Sequence, residues 1–121
     1  MGRKILIVDD EPNIVISLEF LMKKEGFDVA VASDGEAALE QVARFGPELI
    51  LLDVMMPKKS GYEVCQAIKA DPALAAIKVV MLTAKGRETE VAKGIAMGAD
   101  AYVTKPFSTK DLVTQVKTLL G

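Results

Sequence analysis

Histidine and tryptophan are absent from this 121-residue sequence, and cysteine occurs once. Without histidine there is no imidazole for acid–base catalysis, for a Ser-His triad or for a His metal site. A single cysteine excludes an internal disulfide and a cysteine zinc cage, and fits a reducing cytoplasm. No apolar run approaches the ~20 residues that a bilayer-spanning helix needs. The first residues, Met1-Gly2-Arg3-Lys4-Ile5, run straight into a short apolar strand and lack the shape of a signal peptide. Fifteen basic residues stand against seventeen acidic ones, for a net charge of −2. No basic field exists to attract nucleic acid or an anionic membrane. Neither Gly-x-Gly-x-x-Gly nor Gly-x4-Gly-Lys-Ser/Thr occurs, which argues against a nucleotide- or flavin-binding module. Carboxylates, hydroxyls, lysines and backbone amides are left to carry chemistry.

What is present reads as one globular domain over residues 1–121. Half of the residues are hydrophobic and 26% are charged, and a chain of this length buries roughly 65% of its unfolded surface. Short apolar runs at residues 5–8, 27–31, 49–52, 77–82 and 101–104 read as strands. Those at 5–8 and 49–52 are continuous, as in strands buried on both faces. Between and after them, residues 12–25, 35–45, 61–70, 87–97 and 108–120 are long enough for helices. The punctuation agrees. Pro12 suits a first helical position, Gly26 a helix stop, Ser33 or Asp34 a cap, Gly46-Pro47 a termination, and Ser60 and Ser108 two further caps. Strict β–α alternation implies crossover connections, hence a doubly wound parallel α/β sheet with helices on both faces. In such folds the site lies outside the carboxyl ends of the strands.

At those ends stand Asp9-Asp10, Asp53, Thr83-Ala84 and Lys105-Pro106. Strand ends meet water, so any one of these residues is unremarked alone; the joint pattern is not. Crowded carboxylates repel one another and call for a hard divalent cation with oxygen ligands. Mg²⁺, or Mn²⁺ in its place, takes one or two carboxylates and completes its shell with phosphate oxygens. Lys105 and Thr83 add a cation and a hydroxyl, which together with the metal would cradle a phosphoryl group. Asp53 is then a candidate nucleophile, because carboxylates form aspartyl phosphates.

Four motifs, Leu6-Ile7-Val8-Asp9-Asp10-Glu11, Leu51-Leu52-Asp53-Val54-Met55-Met56-Pro57, Met81-Leu82-Thr83-Ala84 and Lys105-Pro106-Phe107, occur in this order. With them the sequence resembles the receiver domain of bacterial two-component response regulators, chemotaxis regulators included, over essentially its whole length. The resemblance implies a (βα)5 flavodoxin-like fold with strand order 2-1-3-4-5. It implies Asp53 as phosphoacceptor, with Asp10, Asp53 and the Met55 carbonyl as direct Mg²⁺ ligands and Asp9 acting through water. It further implies Thr83 as switch hydroxyl, Tyr102 as switch aromatic, Lys105 as phosphate-contacting lysine and a cis peptide before Pro106. The partners implied are a sensor histidine kinase or phosphotransfer protein upstream and an output domain or protein downstream. The surface of the 87–97 helix, the fifth strand and the terminal helix would shift. Such a protein is cytoplasmic and catalyses only its own phosphorylation and dephosphorylation.

The loop after Asp53 departs from the family pattern. Lys58 and Lys59 stand where a glycine and a small or apolar residue are usual, and the segment reads as a solvated loop. A Mg²⁺-dependent aspartyl-phosphate phosphatase is the alternative function. It needs an aspartate two residues after the nucleophile, and Met55 stands there. Cys65, between Val64 and Ile68, reads as a buried small hydrophobe. On the first helix Ile14, Val15, Leu18, Leu21 and Met22 form a core-facing stripe, while Ile16 and Phe20 fall on the opposite side as an exposed i,i+4 pair. That pair is the candidate docking patch for the phosphodonor partner.

Overall fold

A computed structural model describes residues 3–54, 56, 59–84, 92, 96, 98–105 and 107–121. The chain alternates β1 (Lys4–Val8), α1 (Pro12–Lys24), β2 (Asp28–Ala32), α2 (Gly35–Phe45), β3 (Leu49–Asp53), α3 (Gly61–Ala70), β4 (Lys78–Ala84), β5 (Ala101–Lys105) and α4 (Thr109–Leu120). All strand pairs are parallel, in the order β2-β1-β3-β4-β5. The expected doubly wound sheet is therefore present. The expected helix at 87–97 lies almost wholly outside the described residues, as do Met55 and Pro106.

The period-two alternation of side chains splits the apolar strands between two cores. Leu6, Val8, Ile50, Leu52, Val79 and Met81 face α2 and α3, where they meet Ala38, Val42, Val64, Cys65 and Ile68. Ile5, Ile7, Leu49, Leu51, Val80 and Leu82 face α1 and α4, where they meet Leu18, Met22, Leu112 and Val116. Each fully buried aliphatic side chain contributes roughly 1.5–3 kcal/mol. Leu51→Ala, at the centre of the sheet, would cost about 2–5 kcal/mol.

Local chemistry sets the helix ends. Asp34 Oδ1 accepts from the Ala37 N–H at 2.8 Å, and Gly46 closes α2 at φ +66°, a conformation that favours glycine. Ser60 and Glu63 form a reciprocal capping box on α3, and Ser108 Oγ accepts from the Asp111 N–H at 3.3 Å. Glu11 precedes α1 without making a side-chain cap bond, so its carboxylate is available elsewhere. β3, β4 and β5 run one or two residues beyond their apolar stretches. Backbone pairing continues through Asp53, Thr83, Ala84 and Lys105 because the parallel ladder uses N–H and C=O groups, not side chains.

Candidate functional site

The same alternation places the polar residues at the carboxyl rim. Asp9, Asp53 and Lys105 continue the phase of Ile5 and Ile7, of Leu49 and Leu51, and of Ala101 and Val103, so all three belong to the α1/α4 side. Thr83 continues the phase of Val79 and Met81 on the opposite side.

Lys105 Nζ is the hub. It donates to Asp9 Oδ2 at 2.9 Å, to Glu11 Oε1 at 3.3 Å and to Asp53 Oδ1 at 3.4 Å. Asp9 has no exposed surface, and its other oxygen, Oδ1, accepts from the Glu11 N–H at 2.9 Å. Asp9, Asp10 and Asp53 each offer a carboxylate oxygen within 4.8 Å of the others. Among the described residues, three carboxylates thus meet the Lys105 ammonium, and Asp10 adds a fourth beside Asp9 and Asp53. Burial, reinforced by the Asp9 charge, pushes the Asp53 carboxyl up to about 6; Lys105 opposes that rise and Asp10 adds to it. For Lys105, burial alone would lower the pKa, but its hydrogen bond to Asp9 and the charges of Asp53 and Asp9 hold it above the usual lysine value. A hard divalent cation fits this donor set. Its ligand atoms are all oxygens, they already lie within reach of one another, and the buried negative charge exceeds what Lys105 neutralises.

Thr83 is buried. Asp53 pairs with Leu82 in the β3–β4 ladder, so Thr83 stands one residue beyond that partner. Tyr102 pairs with Met81 and packs, half-buried, against the core shared with α2 and α3. Thr83 and Tyr102 therefore lie on one face of adjacent strands. Cys65 is fully buried, and its thiol is pushed up to about 11 by that burial. It packs as a small hydrophobe, as its sequence context implied. Ile16 and Phe20 are 64% and 69% exposed, whereas Leu18 and Met22 carry the buried stripe of α1.

Two features were not read from the sequence. Glu11 is a third partner of Lys105; the only hint was a further carboxylate following Asp10. Gly61 holds α3 against the site. Its N–H donates to Val54 O at 2.9 Å, and a Cβ there would collide with the Asp53 carbonyl oxygen and lie 2.9 Å from Val54 Cα. A glycine in sequence announces freedom of φ but not the backbone that approaches it. Gly35 is crowded in the same way by the backbone and Cβ of Lys59, which is half-buried rather than fully solvated.

Among known proteins, the family model of the response regulator receiver domain matches residues 5–117. The fold is similar to that of a Chloroflexus aurantiacus protein assigned as a response regulator, at 33% identity and a TM-score of 0.96 over 99% of this chain and 98% of that one. It is also similar to the signal receiver domain of a Syntrophus aciditrophicus signal transduction histidine kinase, at 33% identity and TM-score 0.92, covering 98% of this chain and 90% of that one. The chemotaxis response regulator CheY4 of Vibrio cholerae matches at 27% identity and TM-score 0.91, over 98% and 99% of the two chains.

Proposed function

The chain belongs to the response regulator receiver domain family, whose members are signalling switches rather than turnover enzymes, and from that premise we propose that residues 1–121 act as one receiver domain phosphorylated on Asp53. The donor is a phosphohistidine on a sensor histidine kinase or phosphotransfer protein; with no histidine of its own, the chain depends on an external one. An oxygen of Asp53 attacks phosphorus. The new O–P bond forms as the P–N bond breaks, and the electron pair leaves with the donor imidazole, which keeps or regains a proton from solvent.

The observation that carries this reading is the Asp53 carboxyl, buried at the sheet rim beside Asp9 and Asp10 with Lys105 Nζ 3.4 Å away. Lys105 supplies positive charge to the phosphoryl oxygens, and the Thr83 hydroxyl donates to another of them. Asp10, Asp53 and the Met55 carbonyl would hold Mg²⁺ or Mn²⁺ directly, and Asp9 through water. Both Asp9 oxygens are engaged, by Lys105 and by the Glu11 N–H, which supports an indirect role; Asp10 is exposed, which supports a direct one. When bound, the cation offsets the carboxylate repulsion and polarises the phosphoryl group. Met55, two residues after Asp53, supplies no acid for turnover of external substrates, and this disfavours the phosphatase alternative.

Phosphorylation draws the Thr83 hydroxyl inward and lets Tyr102 turn into the vacated space. The surface of segment 87–97, β5 and α4 shifts with it and controls an output domain or protein. The placement of Thr83 and Tyr102 on one sheet face supports this coupling. Ile16 and Phe20, on the helix that begins two residues after Asp10, form the docking patch for the donor. We place the protein in the cytoplasm, with neither nucleic acid nor membrane as a direct partner of this domain. On phosphorylation, amide chemical shifts should extend from Asp53 to β5 and α4. Shifts confined to the loop after Asp53 would contradict the switch.

A further inference from the structure

The Lys105 ammonium has three protons, and three carboxylates receive them. A phosphoryl oxygen that reaches Lys105 must take one of those places. Asp9 and Asp53 are buried, whereas the Glu11 side chain is 61% exposed. Neither helix capping nor core packing accounts for where that side chain lies, because it makes no cap bond and faces solvent. Its backbone N–H is fixed to Asp9, so the carboxylate is held at the mouth of the site by the same short loop that positions the acidic pair.

We propose that Glu11 is a specificity-determining residue. It retains Lys105 in the resting protein and repels small anionic phosphodonors, and so discriminates against phosphorylation by free acyl phosphates. The proposal rests on Asp53 as phosphoacceptor. Glu11 acts twice against such a donor: by like charge during approach, and by competing with the donor's oxygens for Lys105. Glu11→Gln keeps the size of the side chain and removes the charge, and at an exposed position it should leave folding intact.

The test compares wild type, Glu11→Gln and Glu11→Asp with two probes. In the presence of Mg²⁺, Glu11→Gln should raise the rate of labelling by acetyl phosphate by about fivefold at low ionic strength, with little gain in high salt. The gain should be smaller for the less charged donor phosphoramidate, and Glu11→Asp should behave more like wild type. In metal-free protein, Lys105 of Glu11→Gln should react faster with a sulfonated, anionic active ester, and the gain with a neutral active ester should be smaller. Unchanged or slower acetyl phosphate labelling in Glu11→Gln, or a gain that persists in high salt, would overturn the proposal. So would equal gains with the anionic and neutral esters. Wild type that stays unlabelled at Asp53 would instead sink the phosphoacceptor reading, while the ester arm would still decide whether Glu11 repels anions from Lys105.

Discussion

Nζ of Lys105 lies 2.9 Å from Oδ2 of Asp9, so an ammonium on the edge strand β5 reaches across the ends of β4 and β3 to a carboxylate beside β1 that has no exposed surface. That pair closes the rim. It also leaves Asp53 in a low-dielectric setting where, among the described residues, two carboxylates neighbour it and it shares the one ammonium of Lys105. The resting site is therefore poised for cations and costly for the Asp53 charge.

This cost has a pH signature. In divalent-free protein the Asp53 carboxyl titrates at about 6 rather than its ordinary 3.8. A raised carboxyl pKa favours the folded state where the group is protonated. The contribution is complete below the unfolded value and is lost as pH rises through about 6. The loss is on the order of 2–3 kcal/mol by neutral pH. Asp53→Asn removes the titration. Urea denaturation without divalent ions should find this variant more stable than wild type at pH 7.5, with the gap shrinking toward pH 4.5. A gap independent of pH would contradict the account of Asp53.

Divalent binding should separate the two acidic neighbours. Asp10→Ala should weaken Mg²⁺ more than Asp9→Ala, since a direct ligand contributes more than one acting through water. Asp9→Ala should instead lower stability, because it strips Lys105 of its closest partner. Calorimetric titration of both variants checks the order. Equal Mg²⁺ affinities would contradict the roles assigned.

Much of this was legible in the sequence, and for physical reasons. Continuous runs such as Leu49-Ile50-Leu51-Leu52 announced strands buried on both faces, and β–α alternation left the parallel sheet as the consistent arrangement. Pro12, Asp34, Ser60 and Ser108 marked helix starts that the structure bears out. Asp9, Asp10, Asp53 and Lys105 stood out because each follows an apolar strand, and the sheet brings those strand ends to one rim. Strand ends were less legible. β4 continues through Thr83 and Ala84 because hydrogen bonding of the ladder does not depend on apolar side chains. Glu11 and Gly61 could not be found from pattern. The part each plays depends on tertiary proximity, Glu11 to a lysine 94 positions away and Gly61 to the Asp53 carbonyl.

The exposed pair on α1 makes a separable prediction. Burying Ile16 and Phe20 against a partner gains ~25 cal/mol per Å² of apolar surface, partly offset by the cost of association. Replacing both with polar residues should change stability by less than ~0.5 kcal/mol per site, as at other exposed positions. Transfer from the cognate kinase should slow by at least about tenfold if roughly 1.4 kcal/mol of docking energy is lost. Labelling by a small acyl phosphate should stay unchanged. Equal loss toward both donors, or a variant that unfolds, would remove the docking role.

The most direct measurement is the intact mass of the chain after incubation with acetyl phosphate and Mg²⁺, taken for wild type and Asp53→Asn side by side. Wild type should gain a single phosphoryl group, located to Asp53 after borohydride trapping, and Asp53→Asn should gain none. Equivalent labelling of Asp53→Asn, or a phosphoryl group mapped to another residue of wild type, would contradict the assignment of Asp53 as the phosphoacceptor.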